Sequence, residues 1–271
     1  MSLLLHISDT HFGTEDPPVV AALQRLAATL SPDVLVLSGD ITQRARRRQF
    51  AAARAFCDSL GIARMLALPG NHDIPLFNLP ARLLDPYGGY RAAFGADLEP
   101  ELDGEDLLLL GVNTTRPARH KHGEVSTAQV ARVARRLESA RREQLRVVVT
   151  HQPVCVMREE DEHDRLRGGH AAVQAWSRSG ADLVLGGHIH LPYLTDACAR
   201  VPGVPRALFC LQAGTALSLR VRHGSPNSVN VVRWTPPAAH EPRECRVERW
   251  DYELAQDRFD CSHAHALRLA D

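Results

Sequence analysis

Four consecutive residues, Gly70–Asp73, place an amide, an imidazole and a carboxylate side by side directly after an apolar run. The run Met65–Leu68 has the composition of a buried strand, and Pro69-Gly70 ends it. Side chains of these three types bind metal ions or share protons, and a strand end holds them firmly. Taken alone, the motif favours a hydrogen-bonded turn, so its interpretation depends on how the other predicted strands end.

Two earlier apolar runs end in residues of the same kind. Ser2–Ile7 leads into Asp9 and His11, whose i, i+2 spacing directs both side chains to the same side of an extended chain. Asp33–Leu37 leads into Asp40, and the glycine before it lets the backbone come close to whatever the carboxylate holds. An Asp-x-His pair is common in surface loops, so the repetition of the pattern carries the argument.

The spacing of these runs predicts how their strands are arranged. Asp9, Asp40 and Asn71 follow one another at intervals of 31 residues, and helical periodicity fills the gaps at Pro17–Leu30 and Gln49–Leu60. This βαβαβ rhythm predicts parallel strands. The carboxyl ends of parallel strands share one edge of a sheet, where α/β folds build their sites, so we expect these polar residues to lie close together.

Two later runs repeat the pattern with imidazoles. Leu145–Val149 is followed by His151 and by a proline that stops the strand. Asp182–Leu185 is followed by two glycines and then by His188 and His190, which have the same i, i+2 spacing as the earlier Asp-x-His pair. Five strand ends therefore supply carboxylate, amide and imidazole donors.

The assembled donors predict a site for two metal ions. Nitrogen and oxygen donors without thiolates suit Mn, Fe or Zn, and the set is larger than one ion needs. Asp40, on the central strand, is the natural bridging ligand. The candidate metal ligands are Asp9, His11, Asp40, Asn71, His151, His188 and His190.

Such a pair of ions indicates phosphoester hydrolysis. Two ions about 3.5–4 Å apart can hold the attacking and the leaving oxygen of an in-line displacement at phosphorus, and they lower the pKa of bound water to roughly 7, which supplies hydroxide. His72 would then donate to the developing phosphorane or to the leaving oxygen, and Asp73 would orient its ring. We therefore expect His72 and Asp73 to be catalytic.

Taken in order, the motifs Asp-x-His, Gly-Asp, Gly-Asn-His-Asp, a lone His and Gly-His-x-His span residues 9–190 and resemble those of the calcineurin-like metallophosphoesterase superfamily. The resemblance implies the α/β class and a four-layer α/β/β/α sandwich of two mixed sheets flanked by helices. It implies one domain over residues 1–271, with a short C-terminal tail at about 256–271, and a transition-state role for His72. It assigns one metal ion to Asp9, His11, Asp40 and His190, and the other to Asp40, Asn71, His151 and His188.

Three features look most like the class III cyclic-nucleotide phosphodiesterase branch: the short insertions, the Gly-Asn-His-Asp ending and the Thr-His-Gln-Pro motif. Phosphoprotein phosphatases place an arginine four residues after the bridging aspartate, as Arg44 is placed here. They have an acidic residue before that arginine, however, where this chain has Gln43. The phosphatase interpretation is therefore a minor alternative.

The leading hypothesis is a dinuclear-metal phosphodiesterase that hydrolyses a small phosphodiester, for which a 3′,5′-cyclic nucleotide is one candidate. A second hypothesis keeps the metals and changes the substrate to a nucleotide, a nucleic-acid end or a phospholipid headgroup. A third is a non-catalytic scaffold of the same fold, which the intact ligand set argues against. The candidate substrate-binding residues are Asn71, His72, Arg44, Arg116 and Arg222.

Composition narrows the expected partners. The 271 residues carry 32 acidic and 32 basic side chains, so no global field attracts a membrane or long nucleic acid.

The N-terminus runs directly into a strand, without a signal peptide or a long apolar segment, which predicts a cytoplasmic protein. Six scattered cysteines without a Cys-x-x-Cys pair predict buried small hydrophobes rather than disulfides. A small phosphoester is the expected partner, and a second, aromatic-bearing sheet could supply the face of a homodimer.

Other segments complete the expectation. Ile74–Pro100, rich in proline and glycine, is predicted to be an inserted loop with a short helix lying over the site. Val204–Ala213 and Ser228–Trp234 are predicted to be strands of a second sheet, with Cys245–Leu254 as its third strand. In the tail, Phe259–Asp271 is predicted to be a frayed helix.

Overall fold

Short runs of leucine and valine form most of the strands, and these strands assemble into two mixed sheets. The computed structural model describes residues 1–222 and 224–270, so Asp271, the last residue of the predicted tail, lies outside the described residues. The first sheet contains β1 (Ser2–Ile7), β2 (Val34–Leu37), β3 (Arg64–Ala67), β10 (Ser228–Trp234), β11 (Glu244–Glu253) and β12 (Arg258–Arg268).

The strand order of the first sheet is β12-β11-β10-β1-β2-β3. Strands β1, β2 and β3 run parallel, as their 31-residue rhythm predicts, whereas β10, β11 and β12 pair antiparallel with their neighbours. β1 therefore lies between the parallel and the antiparallel halves.

The second sheet has the order β4-β5-β6-β7-β9-β8, and its four central strands β5, β6, β7 and β9 are parallel. The two outer strands pair antiparallel with β5 and β9. The strands are β4 (Glu101–Asp103), β5 (Leu107–Gly111), β6 (Leu145–Val149), β7 (Leu183–Gly186), β8 (Tyr193–Asp196) and β9 (Phe209–Gln212).

Helices cover the outer faces of both sheets. α1 and α2 pack on the first sheet, and α5 and α6 pack on the second. Three short 3₁₀ helices lie at Asn71–Asp73, Glu159–Asp164 and Ala197–Ala199. The α-helices are α1 (Pro17–Leu30), α2 (Arg47–Ser59), α3 (Leu79–Leu84), α4 (Gly88–Phe94), α5 (Thr127–Glu138) and α6 (Gly169–Arg178).

Alternation along the strands explains the layers. In β1, Leu3 and Leu5 face the helices α1 and α2, whereas Leu4 faces the other sheet. The core between the sheets is filled by side chains of both, such as Val36 from β2 and Val147 from β6. The central strands are buried on both faces of their sheets, which is why they are nearly continuous apolar runs, whereas β12 at the edge of the first sheet is mostly exposed. The predicted four-layer α/β/β/α sandwich is confirmed.

The predicted membership of the C-terminal strands is wrong. β9 belongs to the second sheet, but Ser228–Trp234 and Glu244–Glu253 extend the first sheet beside β1. β1 offers a free edge to β10 because β2 occupies only its other side. That long-range pairing leaves no local mark in the sequence.

The predicted frayed helix in the tail is also wrong. Residues Arg258–Arg268 form strand β12, which is hydrogen-bonded to β11 along its length. Phe259 and Leu267 are buried and anchor the two ends of the strand in the cores on opposite faces of the sheet. β11 precedes this segment by only a tight turn and is already in place to pair with it. Its backbone satisfies the hydrogen-bonding groups of the segment.

All six cysteines are free thiols, four of them buried, while Cys198 and Cys261 are exposed. Among the described residues, no helix has the length and apolar character needed to cross a bilayer. The predicted inserted loop contains two short helices, α3 and α4, rather than one.

Replacing Phe259 by Ala tests the structural role of β12. Phe259 is 4% exposed and packs against Tyr252, so we expect the free energy of unfolding to fall by about 3 kcal/mol. Leu254, which is 83% exposed in the turn before β12, is the matched control, and Leu254→Ala should change stability little. If urea denaturation showed that both substitutions lower the free energy of unfolding by the same small amount, Phe259 would not anchor β12 in the core.

Candidate metal centre

The carboxyl ends of strands from both sheets meet at one place. Asp9 follows β1 and Asp40 follows β2, while His151 follows β6 in the other sheet. Backbone hydrogen bonds join neighbouring loops: the His11 amide donates to the Asp40 carbonyl over 3.0 Å, and the Gly187 amide donates to the His151 carbonyl over 2.9 Å. The site therefore lies across two sheets, not along one edge as the strand rhythm alone predicted.

Three groups of donors lie side by side at this junction. The ligand atoms of Asp9, His11 and His190 lie within 4.8 Å of one another, and those of Asp40, His151 and His188 do the same. The third group joins His11, Asp40 and His72. Within the first group, His190 Nε2 is 3.3 Å from an Asp9 oxygen. Within the second, His151 Nε2 is 3.3 Å from an Asp40 oxygen.

The remaining contacts close the set. Asn71 Oδ1 lies 3.3 Å from His151 Nε2, which adds the amide to the second group. His11 Nε2 is 3.8 Å from Asp9 and 3.9 Å from Asp40, so its ring lies between the two carboxylates. The structure thus brings together all seven residues predicted as metal ligands.

The backbone at these ligands is unusual. Five of the seven, all except Asn71 and His151, have left-handed φ angles between 43° and 77°. This conformation costs roughly 1–2 kcal/mol for a residue with a side chain, and such residues cluster at functional sites. The strain turns each side chain from the strand direction into the junction between the sheets.

Two glycines allow the loops to pack this closely. A Cβ atom on Gly70 would lie 2.1 Å from the Asp40 amide nitrogen, and one on Gly187 would lie 1.9 Å from Ser8 Oγ. Both distances are far below van der Waals contact. The glycines of the Gly-Asn-His-Asp and Gly-His-x-His motifs are therefore required by the approach of neighbouring loops.

The imidazole rings are held so that chosen nitrogens face the junction. His151 Nδ1 donates to the Ser38 carbonyl over 2.8 Å, and His190 Nδ1 donates to the Arg220 carbonyl, which leaves both Nε2 atoms directed at the carboxylates. Such outer hydrogen bonds fix ring orientation in metal sites. His188 Nδ1 is buried and makes no hydrogen bond to the described residues, and buried Asp9 Oδ1 has only its ion-pair contacts with the rings of His190 and His11. Buried oxygen and nitrogen donors that lack hydrogen bonds fit a site that holds metal ions.

Burial and neighbouring charges shift the protonation of these groups. Burial opposes the charged form of His151, but the adjacent Asp40 carboxylate raises its pKa to about 9. Burial lowers the pKa of His11 to about 3, against the attraction of Asp40 and Asp9. Despite its burial, Asp40 has a pKa well below the usual value because imidazoles surround it. The metal-free site therefore balances its buried carboxylates with protonated histidines.

His72 lies beside the donors and is held by its own contacts. Its Nδ1 is 3.1 Å from the Gln43 carbonyl, and its Nε2 is 3.2 Å from an Arg220 guanidinium nitrogen. Since a carbonyl only accepts, the contact with Gln43 places a proton on Nδ1, and the same guanidinium nitrogen also lies 3.5 Å from Nδ1. Arg220 also donates to Gln43 Oε1 over 2.9 Å.

The predicted role of Asp73 in orienting the His72 ring is wrong. Its carboxylate accepts hydrogen bonds from the backbone amides of Ile41, Thr42 and Gly70, at 2.8–3.0 Å, and from the Thr42 hydroxyl. Adjacent residues direct their side chains differently, so Asp73 is aimed inward while His72 faces the site. Asp73 instead ties the loop after β2 to the loop after β3.

The predicted substrate-binding arginines do not share one environment. Arg116 donates to main-chain carbonyls and to Gln129, and Arg222 pairs with Glu160 and Asp161, so both are engaged in the protein. Arg44 is exposed beside the site, with its guanidinium over the Phe77 ring at 5.4 Å.

The sequence pattern does not single out two residues of the site, although Arg220 lies in a loop whose cations could bind additional phosphates. Arg220 was one of several loop arginines, and nothing local singled it out. Asp164, in a charged run typical of a solvated loop, lies 3.7 Å from His188 Nε2 and 3.1 Å from Lys121. A carboxylate behind a candidate ligand histidine is an expected partner, but only the folded chain identifies which one.

A four-layer sandwich with two clusters of nitrogen and oxygen ligands at facing strand ends defines a metal-dependent phosphoesterase. A sequence model of the calcineurin-like phosphoesterases matches residues 3–192, and the chain belongs to that family. The family implies two metal ions at the site.

Individual relatives are distant. A cAMP/cGMP dual specificity phosphodiesterase of Mycobacterium tuberculosis is 27% identical over 210 residues, which are 72% of this chain and 63% of the relative. Among solved structures, a dimetal phosphatase from Danio rerio superposes with a TM-score of 0.66 at 12% identity, covering 99% of both chains. A purple acid phosphatase from yellow lupin superposes with a TM-score of 0.69 at 11% identity. The superposition covers 98% of this chain but only 53% of the phosphatase chain.

The protonation of the site predicts that metal affinity rises with pH. An imidazole must be neutral to bind an ion, whereas neighbouring carboxylates raise the pKa of His151 to about 9 and also raise that of His190. Below these pKa values, affinity should increase about tenfold per pH unit for each proton displaced. Calorimetric titration of metal-free protein with Mn²⁺, in buffers of different ionisation enthalpy, measures the protons released. Affinity that stays constant across the neutral range would contradict this charge balance.

Replacing Asp73 by Asn separates a structural from a catalytic role. The asparagine side chain would direct an N–H group at backbone amides that also donate, and hydrogen bonds would be lost. We therefore expect the free energy of unfolding to fall by about 3 kcal/mol. Asp58→Asn, at an exposed ion pair with Arg54, should have little effect. Unchanged stability together with lost turnover in Asp73→Asn would restore the catalytic interpretation.

Proposed function

We propose that the chain is a dinuclear-metal phosphodiesterase that hydrolyses a small phosphodiester, with 3′,5′-cyclic nucleotides among its substrates. The observation that carries the proposal is the complete set of nitrogen and oxygen donors at the facing strand ends. One ion would be held by Asp9, His11, Asp40 and His190, and the other by Asp40, Asn71, His151 and His188.

The mycobacterial relative supports the choice of a diester. Its name gives it activity on cAMP and cGMP, and its alignment includes 72% of this chain. The aligned part is 63% of the relative, so the activity is carried over as part of the proposal.

The chain's own residues bind the substrate and move its proton. When bound, two ions supply Lewis acidity at the phosphoryl oxygens and an acidified water as nucleophile. His72 presents Nε2 to the substrate, while the bond from Nδ1 to the Gln43 carbonyl keeps the ring from turning. Nε2 carries a proton to the leaving oxygen, and Asn71 and Arg220 bind the phosphoryl oxygens.

Arg220 couples these roles. Its guanidinium contacts His72 Nε2, and its carbonyl fixes the ring of His190. An arriving phosphate, which is anionic, draws the guanidinium away from the imidazole and leaves Nε2 free to hold a proton. Substrate binding would thereby release His72 Nε2 from its contact with Arg220.

Kinetics on paired model substrates test the proposed reaction. Mn²⁺-loaded protein should hydrolyse bis(p-nitrophenyl) phosphate with a higher kcat/KM than p-nitrophenyl phosphate. His72→Ala should lower kcat on the diester by about a hundredfold or more while the protein retains two ions, because the proton donor is lost and the metal ligands are not. His240→Ala, which removes an exposed imidazole elsewhere, is the control.

Three outcomes would count against this assignment. Preference for the monoester would refute a phosphodiesterase. Undiminished turnover in His72→Ala would refute its role as proton donor. Loss of one ion in His72→Ala, measured by metal analysis, would make the residue a ligand instead.

A further inference from the structure

A large cavity lies next to the candidate active site. Its volume is about 620 Å³, and it separates residues 44–47 from the helices α3 and α4. Its walls combine guanidinium groups with the exposed ring of Phe77, while alanines and glycines of α3 and α4 make a wide floor. A space of this size accommodates a group well beyond a single phosphate.

The cavity is positively charged. Arg44, Arg46 and Arg47 line it, and none of the three forms an ion pair within residues 1–222 and 224–270. Asp85 is the carboxylate among the lining residues, and Arg91 pairs with it. Because all three cations line the same cavity, an anion bound there would be attracted by each of them.

A second, smaller cavity borders both this space and the reaction centre. It has a volume of about 110 Å³ and is lined by Asn71 and His72 at its inner end. Arg44 and Leu76 line both cavities, so the two spaces meet at these residues. A substrate held at His72 can therefore extend past Arg44 into the larger cavity.

We infer that the larger cavity binds a phosphomonoester carried by one alcohol of the phosphodiester substrate. The inference rests on the proposed function, since the scissile diester must lie at His72 for its extension to reach Arg46 and Arg47. Arginine binds the oxygens of a phosphate through pairs of parallel hydrogen bonds, which a phosphomonoester can accept. The preferred substrates are thus diesters with a second, dianionic group.

The neighbouring face of the same turn provides a contrast. Arg48 lies on the other side, in a cavity of about 450 Å³ that is also lined by Arg44, Arg46 and Glu15. Arg47 lines only the large cavity, and Arg48 lines only the one with Glu15. The two residues are adjacent, exposed and identical in type, so they form a matched pair for mutation.

Two dinucleotides that differ in a single group provide the test. Thymidylyl-(3′→5′)-thymidine and its 5′-phosphorylated form each contain one diester, and the ratio of their kcat/KM values isolates the effect of the phosphomonoester. With Mn²⁺-loaded protein we expect a ratio of about ten or more in favour of the phosphorylated form, since such charge-assisted contacts contribute about that factor. Arg47→Gln should reduce the ratio severalfold, and Arg48→Gln should preserve it.

The possible outcomes test the phosphate site in the cavity separately from the proposed phosphodiesterase activity. A ratio near one, or an equal reduction by Arg47→Gln and Arg48→Gln, would refute the phosphate site while leaving the diesterase intact. If no diester is hydrolysed, the proposed function fails, and calorimetric binding of the two dinucleotides to the metal-loaded protein still decides on the cavity. Repeating the comparison with glycerophosphoinositol and its 4-phosphate shows whether the group comes from a nucleotide or from a lipid headgroup.

Discussion

The structure depends on two carboxylates that are buried where the sheets meet. Asp9 and Asp40 are almost completely removed from solvent, and unpaired charge in such a place would cost several kcal/mol. Imidazoles from the other sheet offset this negative charge, and backbone amides stabilise it further. The amide of His188 donates to Asp9, and that of His72 donates to Asp40. The loops that follow the strands must therefore adopt one arrangement, in which both sheets contribute to the same centre.

Much of this arrangement is visible in the amino-acid sequence. β1, β6 and α1 begin and end at the expected residues because each is a strong apolar pattern closed by a turn or a cap. The candidate ligands could be located because they follow directly after those strands, at spacings that parallel strands impose. The glycines that precede Asp40 and Asn71 in the sequence indicate that another loop approaches closely, even though the sequence does not identify that loop.

Other features depend on contacts between distant residues. The place of β10 beside β1 follows from an unoccupied strand edge, which no local pattern describes. The neighbours of a polar residue are equally hidden: Asp73 follows His72 in the chain but belongs to a different set of hydrogen bonds. Arg220 reaches His72 from a loop far along the chain, whereas Arg116 and Arg222, similar in sequence context, are already engaged elsewhere.

The position of β1 between β2 and β10 affects how the protein is made. Asp9 and His11 leave the ribosome among the first residues, yet β1 acquires its second neighbour only when β10 has been synthesised, at roughly 5–20 residues per second. Arg220, whose carbonyl fixes His190, precedes β10 by only a few residues. The nascent chain thus carries its first metal ligands for most of translation without the strand pairing that positions them. The candidate metal centre accordingly acquires its final geometry only after the chain has been synthesised through β10.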